Sequence, residues 1–171
     1  DDDGDDDDDD DDGDDDDDDD DGDDDGKSDD PCGNQTINGT DQDDELHGPS
    51  GDDTILGKGG NEAIYGEEGC DTLDGGAGCD VLNGGSGADT YVFDIGHGVD
   101  VINDCGVPSE TDIVEFSCNI GISDVCFSLT AGDDLLVTTG SDSSITIQDW
   151  FASANNQIEQ FTFEGSNLTL S

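Results

Sequence analysis

The sequence predicts an all-β protein: a solenoid of short stacked strands, followed by a β-rich C-terminal region and preceded by a disordered acidic tail. Three observations carry this reading. From Gly39 to Val92 the chain repeats itself every nine residues, six times. After residue 104 glycine thins out, and apolar and polar residues alternate with period two. Asp fills 24 of the first 30 residues, where no side chain is fit for burial. The predicted organisation is an acidic tail over residues 1–31, repeats over 32–104 and a C-terminal cap over 105–171.

The repeat units begin at Gly39, Gly48, Gly57, Gly66, Gly75 and Gly84. Their sixth position holds Asp44, Asp53, Glu62, Asp71, Asp80 and Asp89, and their eighth holds Leu46, Ile55, Ile64, Leu73, Leu82 and Tyr91. Glycine recurs at the fourth position as Gly51, Gly60, Gly69, Gly78 and Gly87. This is the G-G-x-G-x-D-x-U-x nonapeptide, with U a large apolar residue. One apolar residue per unit cannot make a core alone, so the units must stack to form a continuous seam.

The polar half of each unit points to a ligand. Clustered glycines imply a tight turn whose carbonyl oxygens face inward. A carboxylate added to that turn makes a half-shell of hard oxygen donors. Calcium takes six to eight such donors at about 2.3–2.6 Å, more than one nonapeptide supplies. Two stacked turns must therefore share each ion, with ligands from the sixth-position acids and from the turn glycines Gly48, Gly51, Gly57, Gly60, Gly66, Gly69, Gly75, Gly78, Gly84 and Gly87.

Residues 39–104 resemble the repeats-in-toxin (RTX) family, the haemolysin-type calcium-binding repeats of secreted proteins. The resemblance implies a right-handed parallel β-roll in which two nonapeptides make one coil. It then implies that Asp44, Glu62 and Asp80 line one edge, and Asp53, Asp71 and Asp89 the other, with about four interior calcium sites. Glu62 departs from the pattern, and its longer side chain should weaken the sites it touches. The family often has Asn or Asp at the fifth position. Asp43, Asp52 and Asn61 fit, whereas Cys70, Cys79 and Ala88 do not. Gly96–Asp104 reads as one more, degenerate unit, in which Asp100 and Asp104 could close the last coil.

In residues 105–171, strands are predicted at 112–116, 134–138, 144–148 and 157–163. Asp149–Ser153 reads as a short helix or turn. The runs 134–137, 145–151 and 158–163 are similar to the haemolysin-type related region that follows such repeats. Covering the roll's open end would be its task, because an exposed strand edge invites aggregation. Trp150, Phe151, Phe161 and Phe163 read as packing residues.

Charge narrows the partners. Fifty acidic residues face two lysines and no arginine, for a net charge of −48. Nucleic acid is disfavoured as a partner, and so are anionic membrane surfaces. No apolar run is long enough to cross a bilayer, and membrane insertion is not expected. The tail reads as a loose polyanion that stays disordered without counter-ions. Without cations the repeats would repel one another, so calcium is expected to act as a folding switch.

The six cysteines are an even count, which in an extracellular chain favours disulfides. Cys70 and Cys79 should lie on opposite edges of the roll, while a pair among Cys105, Cys118 and Cys126 is plausible. Asn34, Asn38 and Asn167 each head an N-glycosylation sequon. No catalytic motif frames His47, His97 or Ser50, and the chain does not read as an enzyme. The functional expectation is a secreted or cell-surface calcium-binding structural module. Two settings compete. In the leading one, toward which the polyaspartate run and the cysteines lean, it builds a surface layer, matrix or filament through self-association or other matrix components. In the other it is the C-terminal secretion and folding module of a larger enzyme or toxin.

Overall fold

A computed structural model describes residues 33–106, 109–117, 119–140, 142–163 and 166–169. The expectations for the polyaspartate tail, Cys32 and Cys118 lie outside the described residues.

The architecture is two facing sheets of seven strands each, with no α-helix among the described residues. The first sheet orders Thr36–Asn38, Thr54–Leu56, Thr72–Asp74, Thr90–Phe93, Ile113–Phe116, Gln160–Phe163 and Ser166–Thr169. All its pairings are parallel except the last. The second runs Glu45–His47, Ala63–Glu68, Val81–Ser86, Val99–Ile102, Ser144–Ile147, Leu135–Thr139 and Val125–Leu129. Its pairings are parallel up to Ser144–Ile147 and antiparallel after it. A short parallel pair, Gly59–Gly60 with Ala77–Gly78, lies in the turns. Successive units alternate between the sheets, so two nonapeptides make one coil, as a β-roll requires.

The eighth-position residues build the seam. Ile37, Ile55, Leu73, Tyr91, Val114 and Phe161 stand in register down one sheet. Leu46, Ile64, Leu82, Ile102 and Ile147 do so down the other. From Ile55 to Phe161 and from Ile64 to Ile147 these residues are fully buried, while Ile37 and Leu46 at the starting edge are partly buried. Each full burial contributes about 1.5–3 kcal/mol against leaving the side chain in water. Continuity of the two columns is what makes a single core from one apolar residue per unit.

The C-terminal region departs from the simple cap expected of it. Ser144–Ile147 and Gln160–Phe163 add parallel strands to the two sheets, and so extend the roll's own stack. Antiparallel strands then finish both sheets, and two of them, Val125–Leu129 and Ser166–Thr169, escaped the sequence pattern. Trp150, Phe161 and Phe163 are buried as expected, but Phe151 is 52% exposed. It lies in a turn whose other aromatic, Trp150, takes the inward position. Cys70, Cys79, Cys105 and Cys126 are free and exposed, so no disulfide forms among the described residues.

Candidate metal-binding columns

The sixth-position acids face into the turns, where they form two ladders. The Oδ1 of Asp71, Asp80, Asp89, Asp100 and Asp112 accepts the backbone N–H of the acid one coil earlier, Asp53 Oδ1 accepts from Gln35 N–H, and Glu62 accepts none. On one edge Asp53 donates to Asp71 (2.8 Å), Asp71 to Asp89 (2.9 Å) and Asp89 to Asp112 (2.9 Å). On the other, Glu62 donates to Asp80 (2.9 Å) and Asp80 to Asp100 (3.0 Å). The spacing is 18 residues within the repeats, then 20 at Asp100 and 23 at Asp112. Asp44, at the starting edge, is half-buried, and its Oδ2 accepts from Thr40 N–H at 2.6 Å and Thr40 Oγ1 at 2.8 Å.

Each ladder leaves carboxylate oxygens unused. Asp53 Oδ2, Asp71 Oδ2, Asp80 Oδ2, Asp89 Oδ2, Asp104 Oδ2 and both Glu62 oxygens are buried without a hydrogen-bond partner. An uncompensated buried charge is strongly unfavourable. Lys58 is the one Lys or Arg among the described residues, and its Nζ donates to Gly39 O at 2.6 Å.

The unused oxygens converge with backbone carbonyls. A Cβ placed on Gly48 would meet Gly66 O at 2.6 Å and Asp53 Oδ2 at 2.8 Å. On Gly66 it would meet Gly84 O at 2.5 Å and crowd Asp71 Oδ2. Gly57 repeats the arrangement against Gly75 O and Glu62, and Gly75 and Gly84 press against Asp80 Oδ2 and Asp89 Oδ2. The fourth-position glycines serve coil spacing: a Cβ on Gly69, Gly78 or Gly87 would overlap the carbonyl of Gly51, Gly60 or Gly69 one coil earlier. Gly51 and Gly60 themselves adopt φ of +119° and +129°, open to glycine at little strain. Carboxylate and carbonyl oxygens without any nitrogen or sulfur are the donor set of a hard cation such as calcium.

Electrostatics point the same way. Burial pushes the Asp71 carboxyl up to about 6 and Asp89 to about 7. Burial, then the neighbouring Asp80, brings Glu62 to about 7, and burial brings Asp112 to about 8. Asp80 and Asp104 are raised by burial too.

The fifth position has a separate job. Asp43 Oδ1 accepts from Asn61 N–H, Asp52 Oδ1 from Cys70 N–H, and Asn61 Oδ1 from Cys79 N–H. Cys70 and Cys79 receive this support but offer no oxygen to the coil after them, so the outer ladder stops there.

The last coil separates the two acids expected to close it. Asp100 joins the Glu62–Asp80 edge, with Oδ1 on Asp80 N–H and Oδ2 2.5 Å from His97 Nδ1. His97 is 3% exposed, and its Nε2 lies 2.8 Å from Thr139 Oγ1. With both ring nitrogens engaged, the imidazole ties the roll to the Leu135–Thr139 strand. Asp104 joins the other edge, where Asp89, Asp104 and Asp112 bring carboxylate oxygens within 4.8 Å of one another. Asp112 was not among the acids singled out from sequence. Its signal was faint: an Asp one residue before an apolar–polar alternation, displaced from the nine-residue register.

Tyr91 explains why the sixth unit carries a phenol in the seam. Its hydroxyl donates to Asp104 Oδ1 at 2.9 Å and accepts from Gly84 N–H at 2.9 Å. Tyr91→Phe would leave both groups buried and unpaired, so it should cost about 1–3 kcal/mol. Urea unfolding in saturating calcium would measure this. His47 is exposed, stacks on Tyr65 with ring centroids 4.6 Å apart, and contacts Glu67 and then Glu45, which raise its pKa.

Two family patterns match the chain. The RTX calcium-binding nonapeptide repeat (4 copies) matches residues 33–61, 56–91 and 65–100. The haemolysin-type calcium-binding protein related domain matches residues 135–170. No curated protein matches the chain significantly. Among solved structures, the chain is similar to the AlgE6R3 subunit of the Azotobacter vinelandii mannuronan C5-epimerase, at 33% identity and a TM-score of 0.53. That likeness covers 78% of this chain and 84% of the other. The AlgE6R2 subunit of the same enzyme is 28% identical with a TM-score of 0.50, over 74% of this chain and 91% of that one.

Proposed function

Because this chain belongs to the RTX haemolysin-type calcium-binding repeat family, we propose that it is an extracellular structural module whose roll folds as calcium enters the gaps between coils. The repeats are calcium-binding repeats, and ion entry is coupled to their folding. The observation that carries it is the set of buried carboxylate oxygens left without a partner. Asp53, Glu62, Asp71, Asp80 and Asp89, with Asp44 at the open edge, are the acidic ligands in this reading. The carbonyls of the first-position glycines complete the shell. The interior sites number about four, two on each edge, and work at the about 10⁻⁴–10⁻³ M affinities of extracellular modules.

Of the two settings, the appended module of a larger secreted protein is favoured over the matrix block, because the similar solved structures are subunits of an epimerase. A self-assembling matrix or filament block remains the competing setting. Light scattering with and without calcium separates them: a compact monomer supports the first, growing polymers the second. Among the described residues no helix is long and apolar enough to cross a membrane.

A calcium titration followed by far-UV circular dichroism, with reversal by chelator, tests the folding switch. The β signal should rise with calcium and fall in chelator. A signal already complete in chelator would refute the coupling. Asp80→Ala should shift the midpoint to higher calcium, whereas Asp10→Ala should leave it in place.

A further inference from the structure

We propose that Asp89, Asp104 and Asp112 hold an additional divalent cation at the junction between the repeats and the C-terminal region, bound more tightly than the ions between the repeats. The proposal rests on the calcium-binding reading above but concerns a site of different construction. A gap between repeats offers acids 18 residues apart and glycine carbonyls. The junction gathers three carboxylates from three separate segments: the sixth repeat, the turn after the Val99–Ile102 strand, and the entry to the Ile113–Phe116 strand.

The three residues are 0%, 0% and 3% exposed, and their carboxylate oxygens fall within 4.8 Å of one another. Asp89 Oδ2 and Asp104 Oδ2 are buried without partners. The remaining contacts orient the cluster. Tyr91 donates to Asp104 Oδ1, and the backbone N–H of Asp89 donates to Asp112 Oδ1. Gly106 lies against the cluster: a Cβ there would stand 3.4 Å from Asp112 Oδ2, 3.6 Å from Asp104 Oδ2 and 3.1 Å from Glu110 Oε2. Three buried carboxylates in one place need a cation to balance them, and a higher ligand charge raises calcium affinity.

The opposite edge ends differently. Asp100 there has both oxygens taken, one by Asp80 N–H and one by His97. An imidazole stands where the other edge gathers a third acid, so the extra ion belongs to one edge alone. Its position gives it a consequence. Asp112 N–H donates to Glu159 Oε2 at 2.9 Å, and Ile113–Phe116 pairs with Gln160–Phe163. An ion held by Asp112 thus joins the sixth repeat to the strands that finish the roll.

The test counts tightly bound calcium on the full chain by competition with a chromophoric chelator, for the wild type, Asp112→Asn and Asp71→Asn. The amide of Asp112→Asn keeps the oxygen that accepts Asp89 N–H and removes the charge. The expected result is loss of the tightest ion, with affinity at least roughly tenfold weaker, in Asp112→Asn only. Asp71→Asn should weaken sites of the looser class. An unchanged tight class in Asp112→Asn overturns the junction site while leaving the repeats' calcium binding intact. No calcium bound by the wild type beyond what the isolated tail peptide takes would instead sink the broader reading. Should Asp112→Asn not fold in saturating calcium, terbium decides on the wild type. Emission sensitised by Tyr91 should appear with the first equivalent and vanish in Tyr91→Phe, and its absence overturns the proposal.

Discussion

Chelated at about pH 8 the repeats are expected to unfold, and acidifying the same metal-free sample to about pH 5 is expected to restore the β signal. The sign follows from the raised carboxyl groups. Glu62 moves from 4.5 to about 7, and Asp71, Asp89 and Asp112 from 3.8 to about 6, 7 and 8, chiefly through burial. The folded chain therefore holds protons that the unfolded chain releases. That contribution is complete below about pH 4 and is lost as the pH rises through about 6 to 8. In the proposed coupling protons do the work of calcium, because either one removes the uncompensated charge from the same oxygens. The two must compete, so the calcium midpoint should rise as the pH falls from about 8 to 5. Circular dichroism against pH, in chelator and in calcium, reads both effects. A chelated chain better folded at high pH than at low would show that the buried acids do not control folding.

Gly78→Ala is expected to lower stability by on the order of 3 kcal/mol even in saturating calcium. The added methyl would overlap the carbonyl oxygen of Gly60 one coil earlier. The obstacle is backbone, held by the parallel pairing of Gly59–Gly60 with Ala77–Gly78, so it cannot swing aside as a side chain would. Relief requires separating the coils, which also pulls apart the oxygens around Glu62 and Asp80. Gly96→Ala is the comparison. It has open space around it and φ +85°, so its cost is backbone strain of about 1 kcal/mol. Urea denaturation of both variants measures the difference, and equal losses would refute the close coil contact at Gly78.

Much of this architecture is legible in the residue order because a solenoid is nearly one-dimensional. The strand pairings and the carboxylate ladders inside the repeats join residues 18 apart, so a period of nine states the coil, the seam and both carboxylate edges together. Glu62 shows the limit of that reading. Its extra methylene marked it as a departure, but only the fold reveals that both its oxygens are buried without partners.

Past Tyr91 the period breaks, and sequence reasoning loses its ruler. The steps to the next coil become 20 and 23 residues, and the parallel joins beyond that span more than 40. Val125–Leu129 escaped the pattern even though its partner, the antiparallel Leu135–Thr139 strand, lies close by in the chain. What the residue order determined by itself is the stack, its apolar seam and its oxygen-rich turns, since each unit carries its instructions locally. What only the tertiary structure decided is how the two edges end. Asp100 goes to the Asp80 edge and Asp104 to the edge of Asp89 and Asp112, because steps of 20 and 23 residues deliver these coils and no local pattern encodes where such loops return.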